Sequence, residues 1–151
     1  PDTNPNKSNG FPVASSRGVK KNLKVLVVDD VVSNNEIMSN YIQRLEGTPV
    51  ISLNGAEAYE KYVESYKKGH VLDVVTMDYD MPIMNGYEAL KKIRKYEREN
   101  NLIPCFVIVV SGHCDHNIIS ECLDSQGEVR ANYFLKKPIS YCQLLDVLSK
   151  V

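Results

Sequence analysis

Short apolar runs alternate with amphipathic stretches along most of the chain. Lys24-Val-Leu-Val-Val28 is nearly all apolar and stops at Asp29-Asp30. A run of that kind reads as a strand buried on both faces, as in parallel sheets. Ile37, Met38, Tyr41, Ile42 and Leu45 then recur on one face of a helix. Pro49–Leu53 is a weaker strand. Asn54-Gly-Ala-Glu57 has the letters of a capping box, and Tyr59, Tyr62, Val63 and Tyr66 mark the helix it opens. Val71–Met77 predicts a strand ending at Asp78, and Asn85-Gly-Tyr-Glu88 opens a helix carrying Leu90 and Ile93. Ile103–Val110 is the most apolar strand and ends at Ser111. A short helix follows with Ile118, Ile119, Cys122 and Leu123. Ala131–Leu135 is the fifth strand, ending near Lys136 and Lys137. Ser140-Tyr-Cys-Gln143 caps a last helix with Leu144, Leu145 and Leu148 facing inward.

Strict alternation of strands and helices predicts an α/β fold: a parallel sheet with helices on both faces and right-handed crossovers. Residues 1–22 break the pattern. They hold Pro1, Pro5 and Pro12, several Asn and Ser, and no apolar period, so they read as a flexible linker or tail before a domain at 23–151. Arg17, Lys20 and Lys21 read as a solvated approach to that domain.

Composition changes little in this picture. Apolar residues make up 43% and charged residues 25%, as in an ordinary globular protein. A net charge of −1 gives no general electrostatic reason to expect nucleic acid as a partner. The longest apolar run, Cys105–Val110, is far too short to cross a bilayer, so no membrane contact by this domain is expected. Cys105, Cys114, Cys122 and Cys142 form no C-x-x-C pair and read as reduced thiols, which suits the cytoplasm. His113, Cys114 and His116 are too close together, without a second ligand pair, to suggest a zinc site.

The chemistry collects at the strand ends. In a parallel sheet Asp29-Asp30, Asp78, Ser111 and Lys136-Lys137 all reach one edge, where open sheets of this class bind ligands. Clustered carboxylates repel one another, and a divalent cation removes that problem. Oxygen donors without His or Cys suit Mg²⁺ or Mn²⁺ rather than Zn²⁺. A cation, a lysine and a hydroxyl around an aspartate form a site for phosphoryl transfer.

The pieces VLVVDD, LDVVTMDYDMPIMNGYEA, VIVVSGH and YFLKKP, in that order, resemble the response-regulator receiver domains of two-component signalling. The resemblance covers roughly residues 23–150. It implies a flavodoxin-like, doubly wound fold with five parallel strands in the order 2-1-3-4-5 and five helices. It implies Asp78 as the phospho-acceptor, taking its phosphoryl group from a phosphohistidine. Asp30 would bind the metal directly and Asp29 through water or as a second ligand, with Asp78 and the Asp80 backbone carbonyl completing the protein's share. Lys137, immediately before Pro138, would pair with the phosphoryl group, leaving Lys136 pointing elsewhere. Ser111 would supply the hydroxyl that moves toward it, and Phe134 the aromatic ring that follows. The implied partners are a histidine-containing phosphotransfer protein and a histidine kinase core of the same or another chain. Asn34 and MPIMNGYEALKKIR resemble the receivers of hybrid histidine kinases, so the chain reads as the C-terminal receiver of such a kinase, in the cytoplasm. Gly127–Asn132 is longer than the usual family turn, and Asp80 beside the acceptor bears on the lifetime of the phosphorylated state.

The alternative is a haloacid-dehalogenase-like phosphohydrolase using Asp78 and Asp80 as an Asp-x-Asp pair. Such enzymes need a further acidic motif after the lysine. Here only Asp146 follows Lys137, inside a helical pattern, and the acidic pair instead precedes Asp78.

Overall fold

The computed structural model describes residues 18–113 and 115–151. Its elements alternate without exception: β1 (Lys24–Val28), α1 (Val32–Arg44), β2 (Thr48–Ser52), α2 (Gly55–Lys67), β3 (Val74–Asp78), α3 (Gly86–Glu99), β4 (Phe106–Ser111), α4 (His116–Leu123), β5 (Tyr133–Lys136) and α5 (Tyr141–Leu148). All strand pairs are parallel, in the order β2-β1-β3-β4-β5. This is the architecture and strand order expected from the sequence.

Period-2 side-chain alternation divides the strands between two cores. Val25, Val27, Val74, Ile108 and Val110 face α1 and α5, meeting Ile42, Leu45, Leu144, Val147 and Leu148. Leu26, Val28, Val75, Met77, Val107 and Val109 face the other way, onto Ala58 and Tyr62 of α2, Leu90 and Ile93 of α3, and Cys122 of α4. Both faces are covered, which is why the strands read as unbroken apolar runs. Each fully buried Leu or Ile contributes roughly 2 kcal/mol.

Several element boundaries and faces differ from the sequence reading, each for a local reason. On α1 the line against the sheet runs through Asn35, Ser39 and Ile42, so Ile37 falls to the side and is 50% exposed. β3 begins at Val74, because the Asp73 carboxylate turns back to accept from the Lys24 amide (2.8 Å) and Val71 lies in solvent. β4 begins at Phe106; Pro104 has no N–H for the ladder, and Ile103 is 92% exposed. β5 begins at Tyr133, since Asn132 pairs with Val107 through its side chain and backbone (2.9 and 2.8 Å). Asn54 caps α2 by accepting from the Glu57 amide (2.8 Å), but Glu57 returns to Leu53 and Lys61, so the box is half made. Ser140 and Gln143 complete theirs at α5. Leu123, at the end of α4, is exposed.

Of the expected linker at 1–22, residues 1–17, with Arg17, lie outside the described residues, as does Cys114. Val19 packs against the α1–α5 core, the Asn22 amide donates to the Glu46 carbonyl (3.1 Å), and Lys21 pairs with Glu46 (3.4 Å). No described helix is long and apolar enough to cross a membrane.

Candidate functional site

Register fixes the site. Val28 is level with Met77, Asp78 with Val110, and Ser111 with Lys136, so β1, β3, β4 and β5 finish along one edge. The strand order reverses direction between β1 and β3, and the crevice opens there. A groove of about 450 Å³ lies beside it, under α1, lined in part by Asp29, Asn34, Ile37, Asp78, Lys137 and Ile139.

Asp78 is the centre of this edge and only 3% exposed. Its Oδ1 receives Lys137 Nζ (3.1 Å) and the Asp80 amide (3.3 Å). Among the described residues its Oδ2 has no hydrogen-bond partner. Burial, and then the neighbouring Asp29 carboxylate, push the Asp78 carboxyl up to about 6, while Lys137 and the Asp80 amide pull the other way. Lys137 also meets Asp29 Oδ2 (2.8 Å). Burial alone would lower the lysine's pKa, but the carboxylates of Asp29 and Asp78 outweigh it and raise it. Lys136 at the end of β5 is exposed and joins no ion pair among the described residues.

Asp29 is held from several sides. Its Oδ1 accepts from the Val31 amide (2.9 Å) and its Oδ2 from Asn34 (3.2 Å), while Asn35 donates to its backbone carbonyl (2.8 Å). Asn35 was not legible as a site residue; it stands where an apolar helix face was expected. Asp30 is exposed at the mouth. Asp29, Asp30 and Asp78 each bring a carboxylate oxygen within 4.8 Å of the others. This set is all oxygen and carries more negative charge than Lys137 offsets. The donors therefore fit a hard divalent cation.

The Ser111 hydroxyl donates to Asp80 Oδ2 (2.9 Å) and accepts from the His113 amide (3.1 Å). The Asp80 side chain is 46% exposed, with His113 Nε2 at 4.0 Å. Phe134, level with Val109 on β5, is half-buried against the core on the α2–α3–α4 side. The structure thus brings Asp29, Asp30, Asp78, Asp80, Ser111 and Lys137 to one edge, with Phe134 further along β5.

Two supporting features were not singled out by the sequence motifs, although Gly86 lies within one of them. A Cβ on Gly86 would sit 2.3 Å from the Asp78 carbonyl oxygen and 2.9 Å from Met77, so α3 can start behind Asp78 only with glycine there. Away from the site, Arg94 and Glu97 of α3 are each 2% exposed and paired at 2.8 Å. Arg94 also donates to the carbonyls of Val129 (2.7 Å), Arg130 (3.2 Å) and Cys105 (3.0 Å), and Glu97 accepts from Tyr62 (2.8 Å) and the Cys105 amide (2.7 Å). This network anchors the long Gly127–Asn132 segment to α3.

Residues 25–149 match the model of the response regulator receiver domain. Two-component response regulator 24 of Arabidopsis thaliana is 33% identical over 129 residues, covering 85% of this chain and 84% of that protein. Hybrid signal transduction histidine kinase A of Dictyostelium discoideum is 30% identical over 127 residues, covering 84% of this chain. The chain spans only 6% of that kinase and similarly small shares of other kinases it matches. Among solved structures, one holds the yeast histidine phosphotransfer signaling protein Ypd1 with the receiver domain of its downstream response regulator Ssk1. Its receiver resembles this fold with a TM-score of 0.74 at 24% identity, covering 87% of this chain and 90% of that one. The phosphohydrolase alternative finds no support in these similarities. In the structure Asp78 and Asp80 are not a matched pair, since one is buried against Lys137 and the other faces Ser111 and solvent.

Proposed function

Because this chain belongs to the response regulator receiver domain family, we propose that Asp78 accepts a phosphoryl group from a phosphohistidine on a partner protein. The observation that carries this reading is the state of the Asp78 carboxylate. Oδ1 is tied to Lys137 and to the Asp80 amide, while Oδ2 is left for a new bond. In the transfer, Oδ2 bonds to phosphorus as the bond from phosphorus to the imidazole nitrogen breaks, its electron pair staying with that nitrogen. Asp29, Asp30, Asp78 and the Asp80 backbone carbonyl would hold Mg²⁺, or Mn²⁺, which supplies charge neutralisation for the transferring group.

Lys137 already bridges Asp29 and Asp78, so it is in place to pair with phosphoryl oxygens. The acyl phosphate adds roughly two negative charges at the strand edge. The Ser111 hydroxyl turns to it, Phe134 moves into the vacated space, and the loop and helix surface shifts population without changing fold.

A histidine-containing phosphotransfer protein is the partner this surface suits. Val31, Val32 and Ile37 on the α1 side and Ile83 in the β3–α3 segment are all exposed around the mouth, an apolar rim for a helical partner. A histidine kinase core is the other partner of the proposal. In this reading the chain is the receiver of a hybrid histidine kinase, which similarity to hybrid kinases supports, with residues 1–22 as the linker into a 23–151 domain that lies in the cytoplasm.

The test is phosphotransfer from a phosphorylated phosphotransfer protein, or from acetyl phosphate, with and without Mg²⁺. One equivalent of phosphate should be taken up, dependent on Mg²⁺. Steady turnover of a phosphate monoester would contradict the switch.

A further inference from the structure

The Ser111 hydroxyl has one proton, and that proton is already committed. It points at Asp80 Oδ2 at 2.9 Å, while the oxygen accepts from the His113 amide at 3.1 Å. Ser111 is 1% exposed, so water does not compete for it. A hydroxyl cannot donate to two acceptors at once. A phosphoryl group on Asp78 and the carboxylate of Asp80 are therefore rivals for the same proton.

We infer that Asp80 is a positioning residue whose carboxylate latches Ser111 away from Asp78 and so opposes the phosphorylated state. The inference rests on the proposal that Asp78 is the acceptor and adds to it a restraint on the Ser111 hydroxyl. Asp80 is well placed for this. Its amide is fixed on Asp78 Oδ1 (3.3 Å), so its backbone stays beside the acceptor while the side chain reaches across to β4. The latch has two parts. The hydrogen bond holds the hydroxyl, and the negative charge stands beside the place where the phosphoryl charge arrives. Hydrogen bonds to charged groups outweigh neutral ones, but the half-exposed carboxylate is screened by solvent, so the combined effect should be roughly fivefold rather than a hundredfold.

The two parts separate by substitution. Asp80→Asn keeps an acceptor oxygen and removes the charge, whereas Asp80→Ala removes both. The probe is beryllofluoride, a mimic of the aspartyl phosphate, bound in the presence of Mg²⁺ and followed by NMR, with the Phe134 ring signals reporting the switch. Asp80→Ala should bind beryllofluoride about fivefold tighter than the unaltered chain, and its Phe134 signals without the mimic should already lie part-way toward their bound positions. Asp80→Asn should show a smaller gain. In a Ser111→Ala background the gain from Asp80→Ala should fall to the size of the Asp80→Asn effect, because only the charge remains to act. An undiminished gain in that background, or no gain from Asp80→Ala in the unaltered chain, would overturn the latch. If the unaltered chain itself gave no response to beryllofluoride, the acceptor role of Asp78 would fail first and the latch with it.

Discussion

Lys136 and Lys137 are neighbours in sequence and occupy opposite environments. Lys137 is partly buried and bridges two carboxylates, while Lys136 is exposed at the strand end. Lys137→Ala should slow phosphoryl uptake at least ~10-fold and Lys136→Ala by less than ~2-fold, measured by phosphotransfer rate. Equal effects would reassign the lysine. The raised Asp78 carboxyl has its own consequence. Its folded value, about 6, lies above its ordinary 3.8, so the proton favours the folded form. That contribution is complete below about pH 4 and is lost as pH rises through about 6. In chelator, urea unfolding should show the stability of the unaltered chain dropping relative to that of Asp78→Asn as pH rises across this window. The acids, the serine and the lysine were legible because each ends an apolar run. Asn35 was not, because a buried amide on a helix has the same letter as a solvated one.

Helix α3 shows both what patterns reveal and what they hide. Asn85 announced its start, and Asn85 Oδ1 does accept from the Glu88 amide (2.9 Å). The reason for glycine at position 86 lies in the contact with the Asp78 carbonyl, which only three dimensions show. Gly86→Ala should destabilise the domain by about 2 kcal/mol in urea unfolding through overpacking, and should lower phosphoryl uptake as Asp78 is displaced. Arg94 and Glu97 were not singled out in the sequence, because buried, paired charges keep a solvated helix's composition. Arg94→Ala strands Glu97 without its partner and frees the Val129 and Arg130 carbonyls. It should cost about 3–5 kcal/mol, read from the urea midpoint, although Arg94 lies outside the acceptor site. A loss under 1 kcal/mol would mean the network is dispensable.

At the scale of the whole molecule, alternating runs were enough for fold class, because a strand covered on both faces must be nearly all apolar. They could not set where strands begin. Asp73, Pro104 and Asn132 settle that through hydrogen bonds or their absence, so β3, β4 and β5 all start later than their apolar runs. The strand order sets β1 beside β3 and so places Asp29 and Lys137, distant in sequence, on either side of Asp78. That convergence supports the proposed acceptor role of Asp78, which is tested most directly by intact-mass spectrometry and peptide mapping after incubation with acetyl phosphate and Mg²⁺. One phosphoryl group should appear on the peptide holding Asp78 and be absent from the Asp78→Asn variant. Full labelling of that variant, or a label mapped to another residue, would contradict the account.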